Sequence, residues 1–180
     1  MVPQVKGQQM LGMVKTLRSA RDVALEVLPP HLHHYLSERI VVTSWYSEED
    51  HLAIVHATGQ VVATMVKGDP YRFIGEQGAK SDASGLYASM LREGDIVTSL
   101  QRFAQAWSLY HNTGESRITA LGPKSARNDL LEFSFVTPEV ARVHAGYLCG
   151  IARAAGALGP ECEVLRSTVP NSSAWLVTWR

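Results

Sequence analysis

The spacing of apolar residues changes near residue 112, and this change limits the folds open to the chain more than any other feature. Before that point, apolar side chains recur at steps of four, three, four and three residues, the spacing of one helix face. The members of this stripe are Ile96, Leu100, Phe103, Trp107 and Tyr110. After it, short runs typical of strands predominate. The sequence therefore predicts a helical half, about 1–112, followed by a strand-containing half, about 113–180.

Helix-starting and helix-breaking residues divide the first half. Pro29-Pro30 ends one helix and begins the next, because proline cannot continue a helix but fits its first turn. Ser47 precedes three acids, which is typical of a helix start, where the dipole favours negative charge. Glycines 75, 78 and 85 indicate close contact with a neighbouring element. The predicted helices span 8–19, 21–28, 30–38, 47–66, 69–91 and 95–111, and residues 40–46 are predicted to be extended.

The residue pattern of the second half of the chain predicts an antiparallel sheet. The predicted elements are strands 115–121 and 129–136, a helix over 138–158, and strands 162–168 and 174–179. Helices grouped ahead of hairpins are typical of an α+β fold rather than of a parallel, doubly wound sheet. We therefore predict an α+β fold in which N-terminal helices precede a β-β-α-β-β unit whose antiparallel sheet packs on helices.

Composition predicts a single domain, 1–180, in the cytoplasm. The chain has 17 basic and 17 acidic residues, so it has no excess positive charge for nucleic acid or an anionic membrane. No apolar run approaches the ~18 residues of a membrane span, and the first residues lack the pattern of a signal peptide. Two cysteines, Cys149 and Cys162, fit a reducing compartment better than a disulfide framework.

The sequence contains no local motif of catalysis. It lacks a dinucleotide fingerprint, a nucleophile elbow, CxxC and HExxH. Gly78-Ala-Lys80-Ser81 and Gly122-Pro-Lys124-Ser125 resemble phosphate loops, but neither has the first glycine at the required spacing. We predict a protein that is not an enzyme and has no catalytic residue, no metal and no cofactor.

Several histidines have two interpretations. His31, His34 and Glu38 share one face of a short helix and suggest a metal site, but a solvated surface helix is the preferred interpretation. His56 and His144 lie in apolar stripes, where an imidazole needs a partner that is either a protein group or a ligand atom. The sequence leaves these alternatives open.

A set of short motifs, in order and spacing, resembles a myxobacterial paralogous family of unknown function. These motifs are Val5-Lys6-Gly7, Leu28-Pro29, Trp45-Tyr46, Gly68-Asp69-Pro70, Gly94-Asp95, Tyr110-His-Asn-Thr-Gly114, Gly146-Tyr147 and Thr178-Trp179. That family is similar to the 4-vinyl-reductase-type small-molecule-binding domains, which are related in fold to haem nitric-oxide-binding domains and to Bet-type subunits of vesicle-tethering complexes.

The resemblance implies a cytoplasmic sensory or adaptor domain, usually a homodimer, with an apolar cavity between helices and sheet and no catalysis. Two departures matter. Relatives that bind zinc carry two cysteines in the last hairpin, whereas residues 167–174 contain none. The Tyr-x-Ser-x-Arg motif of haem domains is also missing, which leaves His56, His111 and His144 as candidate axial ligands.

The leading hypothesis is a regulatory domain that binds an apolar or aromatic small molecule. The predicted ligand-binding residues are Trp45, His56, Phe103, Trp107 and Tyr147, with His56 as the polar group. The alternative is an adaptor module in signalling or motility, whose filled core binds no ligand and whose surface binds a partner protein. A haem or gas sensor is the third hypothesis.

Overall fold

The order of helices and strands follows the predicted division of the chain. A computed structural model describes residues 2–85 and 87–180. The helices are Gly7–Ser19 (α1), Arg21–Val27 (α2), Glu48–Ala63 (α3), Pro70–Ser84 (α4), Ile96–Gln105 (α5), Trp107–Tyr110 (α6) and Pro138–Ala154 (α7). The strands are Gln4–Lys6 (β1), Trp45–Ser47 (β2), Glu115–Gly122 (β3), Ser125–Leu131 (β4), Glu161–Leu165 (β5) and Ser173–Thr178 (β6). Short 3-10 helices cover Pro30–Leu36 and Ala88–Met90.

The sheet of the second half confirms the predicted α+β fold. Its strand order is β3-β4-β6-β5, and every neighbouring pair is antiparallel. The helix α7 connects the two hairpins and packs on one face of the sheet, where Trp175 is fully buried and donates its indole N–H to the Ala141 carbonyl. A second, two-stranded sheet pairs β1 with β2. No helix in the described ranges is both long and apolar enough to cross a bilayer.

Capping side chains fix where the main helices begin. Ser47 accepts a hydrogen bond from the Glu49 amide at the start of α3, and Asp69 accepts from two amides at the start of α4. Asp95 and Thr137 cap α5 and α7 in the same way. These side chains satisfy amides that have no partner within the helix, which explains why the sequence located the helix starts well.

Glycines allow α4 and α7 to pack backbone against backbone. A Cβ atom on Gly75 would collide with the Val143 carbonyl, and one on Gly146 would collide with the Arg72 carbonyl. The predicted close contact of the 75–85 glycines is therefore correct for Gly75. At Gly78 an added Cβ would meet only Tyr147, at an ordinary distance of 3.7 Å.

Several predicted boundaries differ from the structure: β4 begins at Ser125 instead of 129, and α7 ends at Ala154 instead of 158. Four other differences have a local reason. The extended segment shortens to 45–47 because the Val42 and Ser44 carbonyls accept hydrogen bonds from the first amides of α1. The 69–91 helix ends at Ser84, and Leu86 lies outside the described residues. The 95–111 helix breaks at Ala106, which has a ψ of −5°. β4 ends at Leu131 because Glu132 adopts a left-handed φ of 54°.

Two separate apolar cores organise the molecule. The first lies among α1, α2, the Pro30–Leu36 turn and α3, and includes Met10, Leu17 and Ile54. The second lies among α5, α7 and the sheet, and includes Leu100, Ile151 and Trp175. A cavity lies where the two cores face each other.

Candidate functional site: a cavity between the two cores

A cavity of about 320 Å³ lies between the helical half and the sheet half. Residues of both cores line it, and α3, α5 and the beginning of β3 contribute to its walls. Exposed residues of α1 and α4, including Gly12 and Gln77, also line it, so it reaches the surface between these helices. Its volume is near the lower end of the range of about 300–1,000 Å³ typical of small-molecule sites.

Aromatic and aliphatic side chains form most of the cavity wall. Its phenylalanine, tyrosine and tryptophan side chains are Phe73, Phe103, Trp107, Tyr110, Phe133, Phe135 and Tyr147. The Phe103 and Tyr147 rings meet edge to face with centroids 6.4 Å apart, and Trp107 meets Phe133 in the same way at 5.1 Å. Such a wall favours an apolar or aromatic ligand, because burial removes apolar surface from water and edge-to-face rings attract one another.

A buried carboxylate bridges two histidines on the wall. Glu48, at the first turn of α3, is only 1% exposed. One of its oxygens lies 2.5 Å from His111 Nδ1, and the other lies 3.3 Å from His51 Nδ1. Trp107 stacks on the His111 ring at 4.0 Å between centroids. All four residues line the cavity.

Burial and hydrogen bonding together set the charge of Glu48 and the tautomer of His111. Burial alone raises the pKa of Glu48, but hydrogen bonds from His111 and His51 outweigh it and hold the pKa at about 2. Burial lowers the pKa of His111 more than the carboxylate raises it. Glu48 is therefore an anion that only accepts, and His111 is a neutral ring that donates from Nδ1, so Nε2 is its unprotonated nitrogen.

A second polar network holds His144 beside the cavity. Its Nε2 lies 2.7 Å from Asn128 Oδ1, and the Asn128 amide donates to Ser116 Oγ and the Arg117 carbonyl. Burial lowers the pKa of His144 to about 4, and nearby His111 contributes to this lowering. The His144 ring is therefore neutral at pH 7 and donates to Asn128, which makes it a structural hydrogen-bond donor as well as part of the cavity lining.

A third polar group, the tyrosine–aspartate cluster, consists of Asp82, Tyr110 and Tyr147. The Tyr147 hydroxyl donates to Asp82 Oδ2 at 2.9 Å. Burial raises the pKa of Asp82 more than this hydrogen bond lowers it. The Tyr110 hydroxyl is buried and has no hydrogen-bond partner among residues 2–85 and 87–180. All three residues line the cavity.

The charge of the lining is one-sided. Two carboxylates, Glu48 and Asp82, line the cavity, whereas no lysine or arginine does so within the described ranges. An anionic group on a ligand would therefore be buried without a partner, which is costly. The lining is suited to a neutral or cationic ligand.

Three of the five predicted ligand-binding residues meet in the cavity. Phe103, Trp107 and Tyr147 line it, and their role in binding stays a prediction. Trp45 does not line it, because it lies on β2, is 39% exposed and packs under the Lys6 ammonium at 4.0 Å. This placement corrects the expectation that Trp45 faces the cavity.

His56 also lies outside the cavity, contrary to expectation. Its side chain is 39% exposed and faces Glu139 at 3.9 Å and the edge of Tyr71. The face of α3 that meets the cavity is instead the one that carries Leu52, Val55, Thr58 and Val62. His51, five residues earlier, takes the position expected of His56.

The N-terminal histidines make local backbone contacts. His33 Nε2 lies 2.9 Å from the Leu28 carbonyl, and His34 Nδ1 lies 2.9 Å from the His31 carbonyl. In the part of the chain that the structure describes, no three histidine, cysteine or acidic side chains are grouped to hold a metal ion. Absence of metal stays a prediction, which elemental analysis of the purified protein tests.

Sequence reasoning named Tyr147, His111 and His144 but missed the other polar residues of the cavity. From the sequence alone, Glu48 is an acid at a helix start, where the helix dipole favours negative charge, and Tyr110 belongs to the apolar stripe of the 95–111 helix. Asp82 and Asn128 carry no pattern that distinguishes them from surface residues. The sequence shows only that Glu48 is one of three acids in the first turn of an apolar helix. It does not show which of the three acids is buried.

Comparison with known proteins identifies the architecture. No protein-family model and no curated protein sequence matches the chain. Among solved structures, a mutant of H-NOX from T. tengcongensis matches with a TM-score of 0.71 at 13% identity, and 97% of each chain is covered. The chain has the H-NOX fold. An H-NOX structure from a study of haem distortion (TM-score 0.70) and the oxygen complex of an H-NOX domain related to soluble guanylate cyclases (0.67) match at 13% identity over 97% of this chain and 95% of theirs.

The lining meets only part of what the haem named in those H-NOX descriptions would need. His111 offers one ring nitrogen, and the carboxylate on its other nitrogen is the usual partner of a metal-binding imidazole. Haem also carries two propionates, and the described lining, which contains Glu48 and Asp82, offers no lysine or arginine to pair with them. The residues present therefore do not complete a haem site.

Proposed function

We propose that this chain is a sensory domain that binds an organic small molecule in the cavity and performs no chemical turnover. The observation that carries this proposal is the cavity itself, which has an aromatic wall and three polar groups. Small-molecule sites typically combine a mostly apolar wall with a few placed polar groups. Lining from both halves of the chain supports treating 1–180 as one domain.

The polar groups support binding rather than catalysis. Glu48 is engaged by two histidines, and His144 is engaged by Asn128. Among the described residues, no serine or cysteine hydroxyl or thiol is hydrogen bonded to a histidine, which is the arrangement that activates a nucleophile. Fixed and satisfied groups position a ligand without transferring its protons.

The same cavity argues against the pure adaptor hypothesis, which requires a filled core. A sensory domain must still pass its signal on, so the proposal includes a homodimer and a protein partner, both implied by the family resemblance. Light scattering on the purified protein tests the dimer by measuring its mass in solution.

Native mass spectrometry of the purified chain tests the central proposal. We expect a co-purified small mass that is lost in Ala104→Phe, because Ala104 lines the cavity and a phenyl ring fills it. Gln105→Phe is the matched control, since the neighbouring Gln105 is exposed and does not line the cavity. Equal ligand retention in both variants contradicts the proposed site.

A haem or gas sensor is the second candidate, because solved structures with this fold include H-NOX domains described as haem-containing or oxygen-binding. Titration of the purified protein with hemin, followed in the Soret region, separates the two candidates. We expect no stoichiometric Soret change, because the propionates have no cationic partner in the described lining. A saturable change that His111→Ala abolishes supports the haem sensor instead.

A further inference from the structure

The tyrosine–aspartate cluster has unused hydrogen-bonding capacity. The Tyr110 hydroxyl is buried, lines the cavity and makes no hydrogen bond of normal geometry in the described chain. Burial and the neighbouring Tyr87 hydroxyl both raise the pKa of Tyr110. Nearly all buried hydroxyls in folded proteins are hydrogen bonded, so an unpaired one that faces a cavity indicates a missing partner. A polar atom of a ligand is the simplest partner for this hydroxyl.

Asp82 adds a carboxylate to the same cavity lining, and its charge adds to the raised pKa of Tyr110. Tyr147 engages its Oδ2, which leaves Oδ1 as an acceptor. Asp82 is 7% exposed, and no cationic side chain is hydrogen bonded to it among residues 2–85 and 87–180. A buried carboxylate is ordinarily paired with a cation or with several hydrogen-bond donors, whereas Tyr147 supplies a single donor to Asp82, so Oδ1 can accept from a ligand.

Aromatic rings surround the same corner of the cavity. Tyr87 meets the edge of Tyr110 with centroids 5.4 Å apart, and Phe103 meets Tyr147 at 6.4 Å. Faces of aromatic rings attract cations, and the effect is larger where water is excluded. The corner therefore combines a carboxylate, a free hydroxyl and aromatic rings, which together favour an ammonium group.

We propose that the tyrosine–aspartate cluster binds the protonated amine of a ligand whose aromatic body fills the apolar part of the cavity. The ammonium donates to Asp82 Oδ1 and to the Tyr110 hydroxyl, and the aromatic body contacts Phe103 and Trp107. This inference rests on the proposed function and names the ligand class as arylalkylamines. It excludes aromatic acids, because their carboxylate would meet Asp82 without a cation.

Isothermal titration calorimetry with three matched probes tests this inference: 2-phenylethylamine, 2-phenylethanol and 3-phenylpropionate. We expect the amine to bind about tenfold or more tightly than the alcohol, and the acid not to bind, because a charge-assisted hydrogen bond is stronger than a neutral one. Asp82→Asn should weaken amine binding by about tenfold and leave the alcohol little changed. Glu76→Gln is the control, since it removes an acid of the same helix that does not line the cavity.

Tyr110→Phe provides a second variant in case Asp82→Asn fails to fold. It removes a hydroxyl that has no partner in the described protein, so it should not lower the midpoint of thermal unfolding. It should nevertheless weaken amine binding by about threefold or more. A variant that kept full amine affinity would remove Tyr110 from the site.

The outcomes distinguish the ligand class from the proposed function. If 3-phenylpropionate binds as tightly as the amine, or Asp82→Asn leaves amine affinity unchanged, the ligand class is wrong while small-molecule binding stands. If no probe binds but a small mass co-purifies, the ligand class is again wrong. If no probe binds and no mass co-purifies, the proposed function fails as well.

Discussion

Glu48 and His111 are 63 residues apart in sequence, yet the Glu48 carboxylate accepts a hydrogen bond from His111 Nδ1 at 2.5 Å. The contact joins the first turn of α3 to the residue that follows α6, and it lies on the wall of the cavity. Glu48 also accepts from His51, so one buried anion holds two imidazoles in fixed orientations. The positions of two other cavity-lining side chains therefore depend on a single carboxylate.

Replacing this carboxylate should destabilise the fold. In Glu48→Gln, one of the two acceptor oxygens becomes a donor, so a histidine N–H loses its partner or must change tautomer. Leaving a buried polar group unpaired costs about 1–3 kcal/mol, which urea unfolding measures. Glu49→Gln, at an exposed position of the same turn, should change the free energy of unfolding by less than about 0.5 kcal/mol. Equal effects in the two variants would contradict the role of Glu48.

Stability should fall on acidification because His144 is neutral in the folded protein. Its pKa is lowered from 6.5 to about 4 by burial, so the unfolded state binds a proton first as the pH falls. The stabilisation is fully present above pH 6.5 and is lost between pH 6.5 and 4, by about 3 kcal/mol in total. Urea unfolding at a series of pH values measures this loss.

The variant His144→Gln tests whether His144 causes this loss of stability between pH 6.5 and 4. Glutamine keeps a donor for Asn128 but does not titrate, so the pH dependence between 6.5 and 4 should be shallower than in the wild type. Glu48 adds a separate loss at lower pH, because its pKa is lowered from 4.5 to about 2 and its stabilisation disappears in that window. An unchanged slope in His144→Gln would assign the acid sensitivity to another group.

Two glycines of α4 should respond in opposite ways to alanine. Gly75→Ala places a methyl group against the Val143 carbonyl of α7, and overpacking of this kind costs about 1–3 kcal/mol. Gly78→Ala meets Tyr147 at 3.7 Å and gains helix propensity, which stabilises by up to about 1 kcal/mol. Thermal unfolding of both variants measures the contrast. A Gly75→Ala variant as stable as the wild type would mean that α4 and α7 are not in backbone contact.

Phe103 should contribute strongly to stability because it belongs to the second core and is only 7% exposed. Phe103→Ala should cost about 3–5 kcal/mol, as other large-to-small changes of buried aromatic residues do. Leu109→Ala, at a side chain that is 53% exposed, is the control and should cost less than about 1 kcal/mol. Denaturant unfolding of the two variants provides the comparison.

His56 should have no effect on ligand affinity. Its side chain points to Glu139 and Tyr71 rather than into the cavity. Calorimetric titration of His56→Phe with 2-phenylethylamine should therefore give the wild-type dissociation constant. Weakened binding would show that the ligand extends beyond the cavity toward α7.

Local periodicity and capping are sufficient to predict the fold class. The stripe that contains Leu100 and Phe103, the caps Ser47 and Asp69, and the turn between β3 and β4 are all short-range signals, and the structure bears them out. Strand β1 escapes prediction, because its three residues carry little pattern and pair with β2 about 40 residues later along the chain. Such pairing depends on contacts that no local window contains.

Sequence patterns point to Tyr147, His111 and His144, but the partners of these side chains depend on long-range contacts and could not be predicted. The helix α3 buries residues on more than one side, including Ile54, Ala57 and Val61, so its apolar pattern does not distinguish the cavity face from the core face. The prediction of His56 rests on that ambiguous pattern, whereas His51 lies on the correct face. The inward orientation of Glu48 depends on His111, which the sequence places far away.

The division into two apolar cores has a consequence for signalling. A molecule bound in the cavity, as proposed, would contact both cores and add to the contacts that α3 already makes with α4 and α7. Without a ligand, the protein should open locally between the two cores more often than it unfolds globally. A bound ligand should suppress this local opening. Ligand binding would thereby reduce the motion of the α1–α3 layer relative to the sheet, so that the two move as one rigid unit.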